Sequence, residues 1–73
     1  MCNELIGIIK DIFSPKIEVT EHTAFKTDLE FDSFEIITMI DVLEEKYNII
    51  INEMDMPSLV TVGDLCEYIE NLI

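Results

Sequence analysis

Residues 28–47 read Asp28-Leu29-Glu30-Phe31-Asp32-Ser33-Phe34-Glu35-Ile36-Ile37-Thr38-Met39-Ile40-Asp41-Val42-Leu43-Glu44-Glu45-Lys46-Tyr47, and the fold turns on them. Asp32 has the short carboxylate that accepts hydrogen bonds from the free N–H groups of a first helical turn. Glu35, three residues later, completes a D-x-x-E version of the capping box. Phe31 and Ile36 stand on either side of the cap, where a hydrophobic staple would form. Ile36, Met39, Ile40, Leu43 and Tyr47 then recur at helical spacing, which predicts one apolar stripe on a helix from Ser33 to Tyr47. Asn48 suits the left-handed conformation that ends many helices.

Working outward, Leu5, Ile8, Ile9 and Ile12 predict an amphipathic helix over Cys2 to Phe13, with Ile6 and Phe13 widening its apolar face. Ser14-Pro15 stops it, because the residue before proline is pushed out of the α region. From Ser14 to Phe31 neither helical nor strand periodicity holds. Apolar anchors at Ile17, Val19, Phe25, Leu29 and Phe31 favour a long loop packed over the helices, with Thr23 or Thr27 able to open a turn. Ile49-Ile50-Ile51 has β propensity but no partner strand, so it reads as an extended connector dipping into the core. Asn52 to Met56 allows one or two turns before Pro57 ends them. Thr61 and Asp64 form a second capping box, with Val60 and Leu65 as its staple, and Leu65, Tyr68, Ile69 and Leu72 line the last helix. The expected fold is all-α: a small four-helix bundle of three longer helices plus one short helix, with a long first loop.

Composition narrows the function. Four Lys, no Arg and sixteen Asp plus Glu leave a net charge of −12 on 73 residues. Phosphate backbones are bound by Lys and Arg that displace counterions, so nucleic acid is not an expected partner, and neither is an anionic membrane surface. With 49% hydrophobic residues the chain should nevertheless fold. A chain of this size buries about 60% of its unfolded surface, a thin base for a deep catalytic cleft. The longest apolar run, Leu5 to Ile9, is far short of the roughly 20 residues that cross a bilayer, and the start of the chain does not read as a signal peptide. Cys2 and Cys66 are too few for a disulfide framework, and read as a residue near a frayed end and a small buried apolar residue. A single His22 and two glycines exclude the common zinc and phosphate-loop motifs, and no metal site is expected. Met39, Met54 and Met56 read first as core filler, with a soft lining for a cavity that opens for a chain as the alternative. Tyr47 and Tyr68 read as core aromatics with wet hydroxyls, and His22 as a loop residue. The expectation is one cytoplasmic, monomeric domain over residues 1–73.

Seven of the acids, Asp28, Glu30, Asp32, Glu35, Asp41, Glu44 and Glu45, crowd around Ser33 with no Lys among them. A calcium loop beginning at Asp28 would need Gly at its sixth position and Glu at its twelfth, where Ser33 and Met39 stand. A serine nucleophile would need a base and an oxyanion hole, and neither is at hand. Ser33 is better placed as a modified residue: it opens a helix, where free N–H groups and the dipole favour an attached phosphate. The acids then form a docking surface for basic partners.

Here the residues resemble a family. Asp28-Leu29-Glu30-Phe31-Asp32-Ser33-Phe34, followed by Val42-Leu43-Glu44-Glu45-Lys46-Tyr47, is similar to the acyl carrier proteins, whose signature is D-L-G-x-D-S-L ahead of an acidic helix ending near L-E-E-x-F. The similarity runs on to Thr61-Val62-Gly63-Asp64-Leu65 and Tyr68-Ile69. It implies a four-helix bundle with 4′-phosphopantetheine, taken from coenzyme A, attached to Ser33 beside the cap residue Asp32. A phosphopantetheinyl transferase would install it, and the arm would carry acyl groups as thioesters to acyl-loading and acyl-processing enzymes. Those enzymes would use basic patches to read Phe34, Glu35, Ile37, Asp41, Glu44 and Glu45. The carrier itself would catalyse nothing. Departures from the pattern are Glu30 for Gly, the bulkier Phe31 and Phe34, Thr38 where Glu is frequent, and Asp41 where an apolar residue is frequent. They point to altered recognition by partners, so a specialised aminoacyl, peptidyl or polyketide carrier stands beside a fatty-acid one. An unmodified acidic interaction module is the reading from a different class.

Overall fold

A computed structural model describes residues 2–73, with the backbone only at position 53. Three α-helices, α1 (Cys2–Phe13), α2 (Ser33–Tyr47) and α3 (Val62–Leu72), are joined by a long first loop and a connector containing a 3-10 helix (Glu53–Ser58). There is no strand among the described residues, and the run Ile49 to Ile51 is an irregular connector in which only part reaches the core as expected: Ile51 is buried, while Ile50 points to solvent. The short turn is longer than expected. It continues through Pro57 to Ser58, because proline's fixed φ and missing donor are tolerated where few backbone N–H groups are bonded.

Both capping boxes form. The Glu35 N–H donates to Asp32 Oδ1 at 2.9 Å, and the Asp32 N–H donates to Glu35 Oε1 at 3.2 Å. At α3 the Asp64 N–H donates to Thr61 Oγ1 at 3.2 Å, while Asp64 Oδ2 accepts the Thr61 and Val60 N–H groups, each at 3.1 Å. Those two backbone donors favour the charged carboxylate and hold Asp64 below the ordinary aspartate range. Asn48 ends α2 at φ 55, as its residue type suggests. Ser14 ends α1 before the proline as expected, leaving the right-handed region by turning left-handed at φ 45 and donating its N–H to the Lys10 carbonyl at 3.0 Å.

The core is built from Leu5 and Ile9 of α1, Met39 and Leu43 of α2, and Val62, Leu65, Cys66 and Ile69 of α3. Val19, Phe25 and Phe31 of the loop join it. The Phe31 ring lies 4.5 Å from that of Phe13, tilted against it, and 6.2 Å from that of Phe25, near parallel, tying the end of α1 to the loop. Several expected anchors face water instead. Ile12 and Ile17 are exposed, Met54 more so, and Val60 is too open to staple Leu65. Tyr47 is not wet: its hydroxyl is buried without a partner in hydrogen-bonding geometry. Burial, and then the neighbouring Glu4 carboxylate, push it up to about 12.

The loop owes its shape to the start of α3. The Phe25 N–H donates to the Val60 carbonyl at 3.0 Å, and the Val62 and Gly63 N–H groups donate to the Thr23 and Glu21 carbonyls at 2.9 and 2.7 Å. Free donors of a helix start are thereby satisfied by loop carbonyls. Ala24 and Thr61 make one antiparallel bridge at the same seam. Within the loop, Asp28 Oδ2 accepts the Ala24 N–H at 2.8 Å and closes a turn. Cys2 is not a frayed end. Its sulfur is bonded to that of Cys66, with Cα atoms 5.4 Å apart, which joins α1 to α3.

Candidate functional site

Ser33 is exposed at the first turn of α2, immediately after the Asp32 cap, so the helix start is set before any ligand arrives. One side of that turn opens on a cavity of about 460 Å³. Its rim includes Ser33, Ile37, Lys26, Thr27 and Val60; Met39 and Leu65 are buried core residues in its wall, and Met56 and Pro57 of the 3-10 helix form another part of that wall. Of the methionines read as filler, Met39 and Met56 line this space, and Met54 lies outside it, 84% exposed. Lys26, Thr27, Pro57 and Val60 carried no sign of a shared site in the sequence, where Thr27, Pro57 and Val60 were read only for turns and a cap, since they come from two irregular segments that meet through the loop–α3 seam.

The remaining residues of interest spread along α2. Phe34 is 77% exposed and Ile37 58%, and Asp41 and Glu45 are also exposed. At spacings of three, four and seven residues they share one outward surface that starts at the serine. The four side chains therefore form a continuous apolar-then-acidic strip. Two other acids have structural work. Glu35 closes its capping box, and Glu44, half-buried, accepts the Ile51 N–H on Oε2 at 2.7 Å. Among the described residues, the only Lys–carboxylate contact is Lys46 with Glu4, 3.8 Å apart and exposed, which neutralises none of the strip.

Phe31 and Phe34, which flank the cap and serine, part company. Phe31 is buried and leaves the outer surface unchanged, while Phe34 projects from it. Glu30, in place of the expected glycine, sits at φ 57, the left-handed region where a side chain is strained. The backbone there takes a conformation that suits glycine although Glu30 carries a side chain.

A capped, exposed serine at a helix start stands beside an apolar cavity and an acidic strip, an arrangement with room for a covalently attached, phosphate-linked arm. The residues fit such a group: the serine is accessible, the helix start suits a phosphodiester, and the cavity walls are apolar. The family model described as a phosphopantetheine attachment site matches residues 3–69, and the chain belongs to that family. Similar curated proteins are named acyl carrier protein. That of Chlamydia caviae is 40% identical over 63 residues, 86% of this chain and 82% of the relative. That of Exiguobacterium sibiricum is 39% identical over 67 residues, 92% of this chain and 85% of the relative. A solved structure of a Mycobacterium tuberculosis protein, provisionally described as an acyl carrier protein, superposes with a TM-score of 0.84 at 28% identity, covering 97% of each chain. The chain is a carrier of acyl thioesters on covalently attached 4′-phosphopantetheine. No helix among the described residues is long and apolar enough to cross a membrane.

Proposed function

We propose that Ser33 is the attachment point, and that the chain works as one cytoplasmic, monomeric domain over residues 1–73, a four-helix bundle if the 3-10 helix is counted. The observation that carries the assignment of Ser33 is the coincidence of three features there: a closed capping box, exposure to solvent, and a place on the rim of the apolar cavity. In the modification, Ser33 Oγ displaces the adenosine bisphosphate of coenzyme A. The new bond is Oγ–P, the P–O bond to the leaving nucleotide breaks, and the hydroxyl proton passes to a base of the transferase. The arm supplies a terminal thiol that holds the cargo. The cavity offers an apolar acyl chain a dry environment worth about 0.8 kcal/mol per buried methylene. Asp32 sets the helix start, and Phe34, Ile37, Asp41 and Glu45 present the strip that transferase and acyl-processing enzymes with basic patches read, with Glu35 and Glu44 at its margin. The chain itself catalyses nothing and inserts in no membrane.

The pathway is fatty-acid or related biosynthesis. Exposed Phe34 directly after the serine favours, as a second reading, a dedicated carrier whose partners accept a bulky neighbour. Intact mass spectrometry after incubation with coenzyme A, Mg²⁺ and a transferase tests the assignment. Wild type should gain the mass of one phosphopantetheine, and Ser33→Ala should gain none. A wild type that never shifts would return the chain to the class of unmodified acidic modules, and a shift that persists in Ser33→Ala would move the site elsewhere.

A further inference from the structure

We propose that Cys2 and Cys66 form a redox-responsive clamp that sets the stability of the folded chain without touching the attachment site. They are the only two cysteines in the sequence and stand 64 positions apart. The fold nevertheless brings their Cα atoms to 5.4 Å, inside the window that a disulfide spans without backbone movement. The bond joins α1 to α3, the two helices in most extensive contact, and α2 with Ser33 lies outside the pair it links.

The two sulfurs differ in access, which gives the clamp an order of events. Cys66 is 1% exposed, while Cys2, at the first position of α1, is only half-buried. Closure proceeds by exchange with a small disulfide of the glutathione type. The Cys2 thiolate attacks it and releases one small thiol, leaving a mixed disulfide on Cys2. The Cys66 thiolate then attacks Cys2 Sγ and releases the second. Two protein thiols are oxidised, the small disulfide is reduced to two thiols, and the two protons leave with them. Opening reverses the steps, with the small thiolate entering at Cys2.

A cross-link enclosing nearly the whole chain removes much of the freedom of the unfolded state, and so shifts stability strongly. In this chain the shift acts on a thin core already opposed by a net charge of −12. Stability then follows the surrounding thiol–disulfide balance, while the capping box, the cavity rim and Ser33 keep their geometry in the folded fraction. In compartments where small thiols dominate, such a pair opens and closes rather than persisting.

The test uses full-length Ser33→Ala, so that no arm thiol is counted. The chain is equilibrated across ratios of oxidised to reduced glutathione, alkylated and weighed intact, and its thermal unfolding is followed at both extremes. The expected result is a change from no alkylated cysteine to two, with little of the singly modified form. The unfolding temperature should fall by on the order of 10–20 °C on reduction. Cys2→Ser should melt like the reduced chain and ignore reductant. Two alkylatable cysteines in the oxidised buffer, a glutathione adduct that stays on Cys2, or equal melting of the two forms would each overturn the proposal.

Discussion

Glu44 Oε2 accepts the Ile51 N–H at 2.7 Å, so a side chain on the acidic helix also fastens the connector that follows it. Glu45, its neighbour, is exposed and makes no such bond among the described residues. The two acids should therefore respond differently to charge reversal. Glu45→Lys should slow transfer by partner enzymes at low salt, converge with wild type at high salt, and leave the urea midpoint unchanged. Glu44→Lys should also lose about 1–3 kcal/mol of stability, since the Ile51 donor is left half-buried without its acceptor. Equal urea midpoints for the two variants would show that the tie has no energetic weight.

Glu30→Gly should stabilise the chain. Left-handed backbone costs a residue with a side chain about 1–2 kcal/mol, and glycine takes φ 57 freely, though it gives back part of that through a more flexible unfolded state. A net gain of about 0.5–1 kcal/mol in urea unfolding is expected. A loss would mean that the Glu30 side chain makes a contribution larger than its strain.

The two glycines should behave oppositely on conversion to alanine. A Cβ on Gly63 would lie 2.9 Å from the Glu21 carbonyl oxygen, whereas one on Gly7 meets nothing within 4 Å. Gly63→Ala should cost about 1–3 kcal/mol by forcing the loop from its seam, and Gly7→Ala should gain about 0.5–1 kcal/mol in the interior of α1. Amide exchange of residues 20–25 should quicken in the first variant only.

The Tyr47 hydroxyl predicts an alkaline limit. Its folded value, about 12, lies above the ordinary 10.0, so the folded state holds the proton more tightly than the unfolded one. Its contribution to stability is complete below pH 10 and is lost as pH rises from 10 towards 12. Tyr47→Phe should remove this part of the alkaline loss and cost little at neutral pH, because the hydroxyl leaves no partner unsatisfied. Melting temperatures of both chains between pH 7 and 11 would decide the matter, and parallel curves would discount it.

What could be read before the fold was known follows the range of the interactions. Asp32 with Glu35, Thr61 with Asp64, and Asn48 act across three or four residues, so residue type and spacing suffice, and all three α-helices lie where the pattern puts them. The place of Ser33 at the start of α2 was legible for the same reason. The cavity was not, because its rim joins Lys26 and Thr27 to Val60 across the chain. Phe31 and Phe34 are alike as residues, and only the packing of Phe31 against Phe13 and Phe25 sends one in and leaves the other out. Cys2 and Cys66 carry no local signal, since their pairing depends on how α1 meets α3. Ile17 shows the converse error: an apolar residue in an irregular segment has no period to assign it a side.

The seam between the first loop and the start of α3 also orders events in time. Its hydrogen bonds link Glu21, Thr23 and Phe25 to Gly63, Val62 and Val60, about 35–42 positions downstream. Contacts so distant in sequence close late, because the intervening chain must lose its freedom first. During synthesis the loop must wait for the polypeptide beyond Val60, although α2 between them can coil on its own capping box much earlier. The serine's helix is thus among the first parts able to form, and the wall of the cavity beside it among the last. An enzyme meeting a half-made chain would find the serine before it found the cavity beside it.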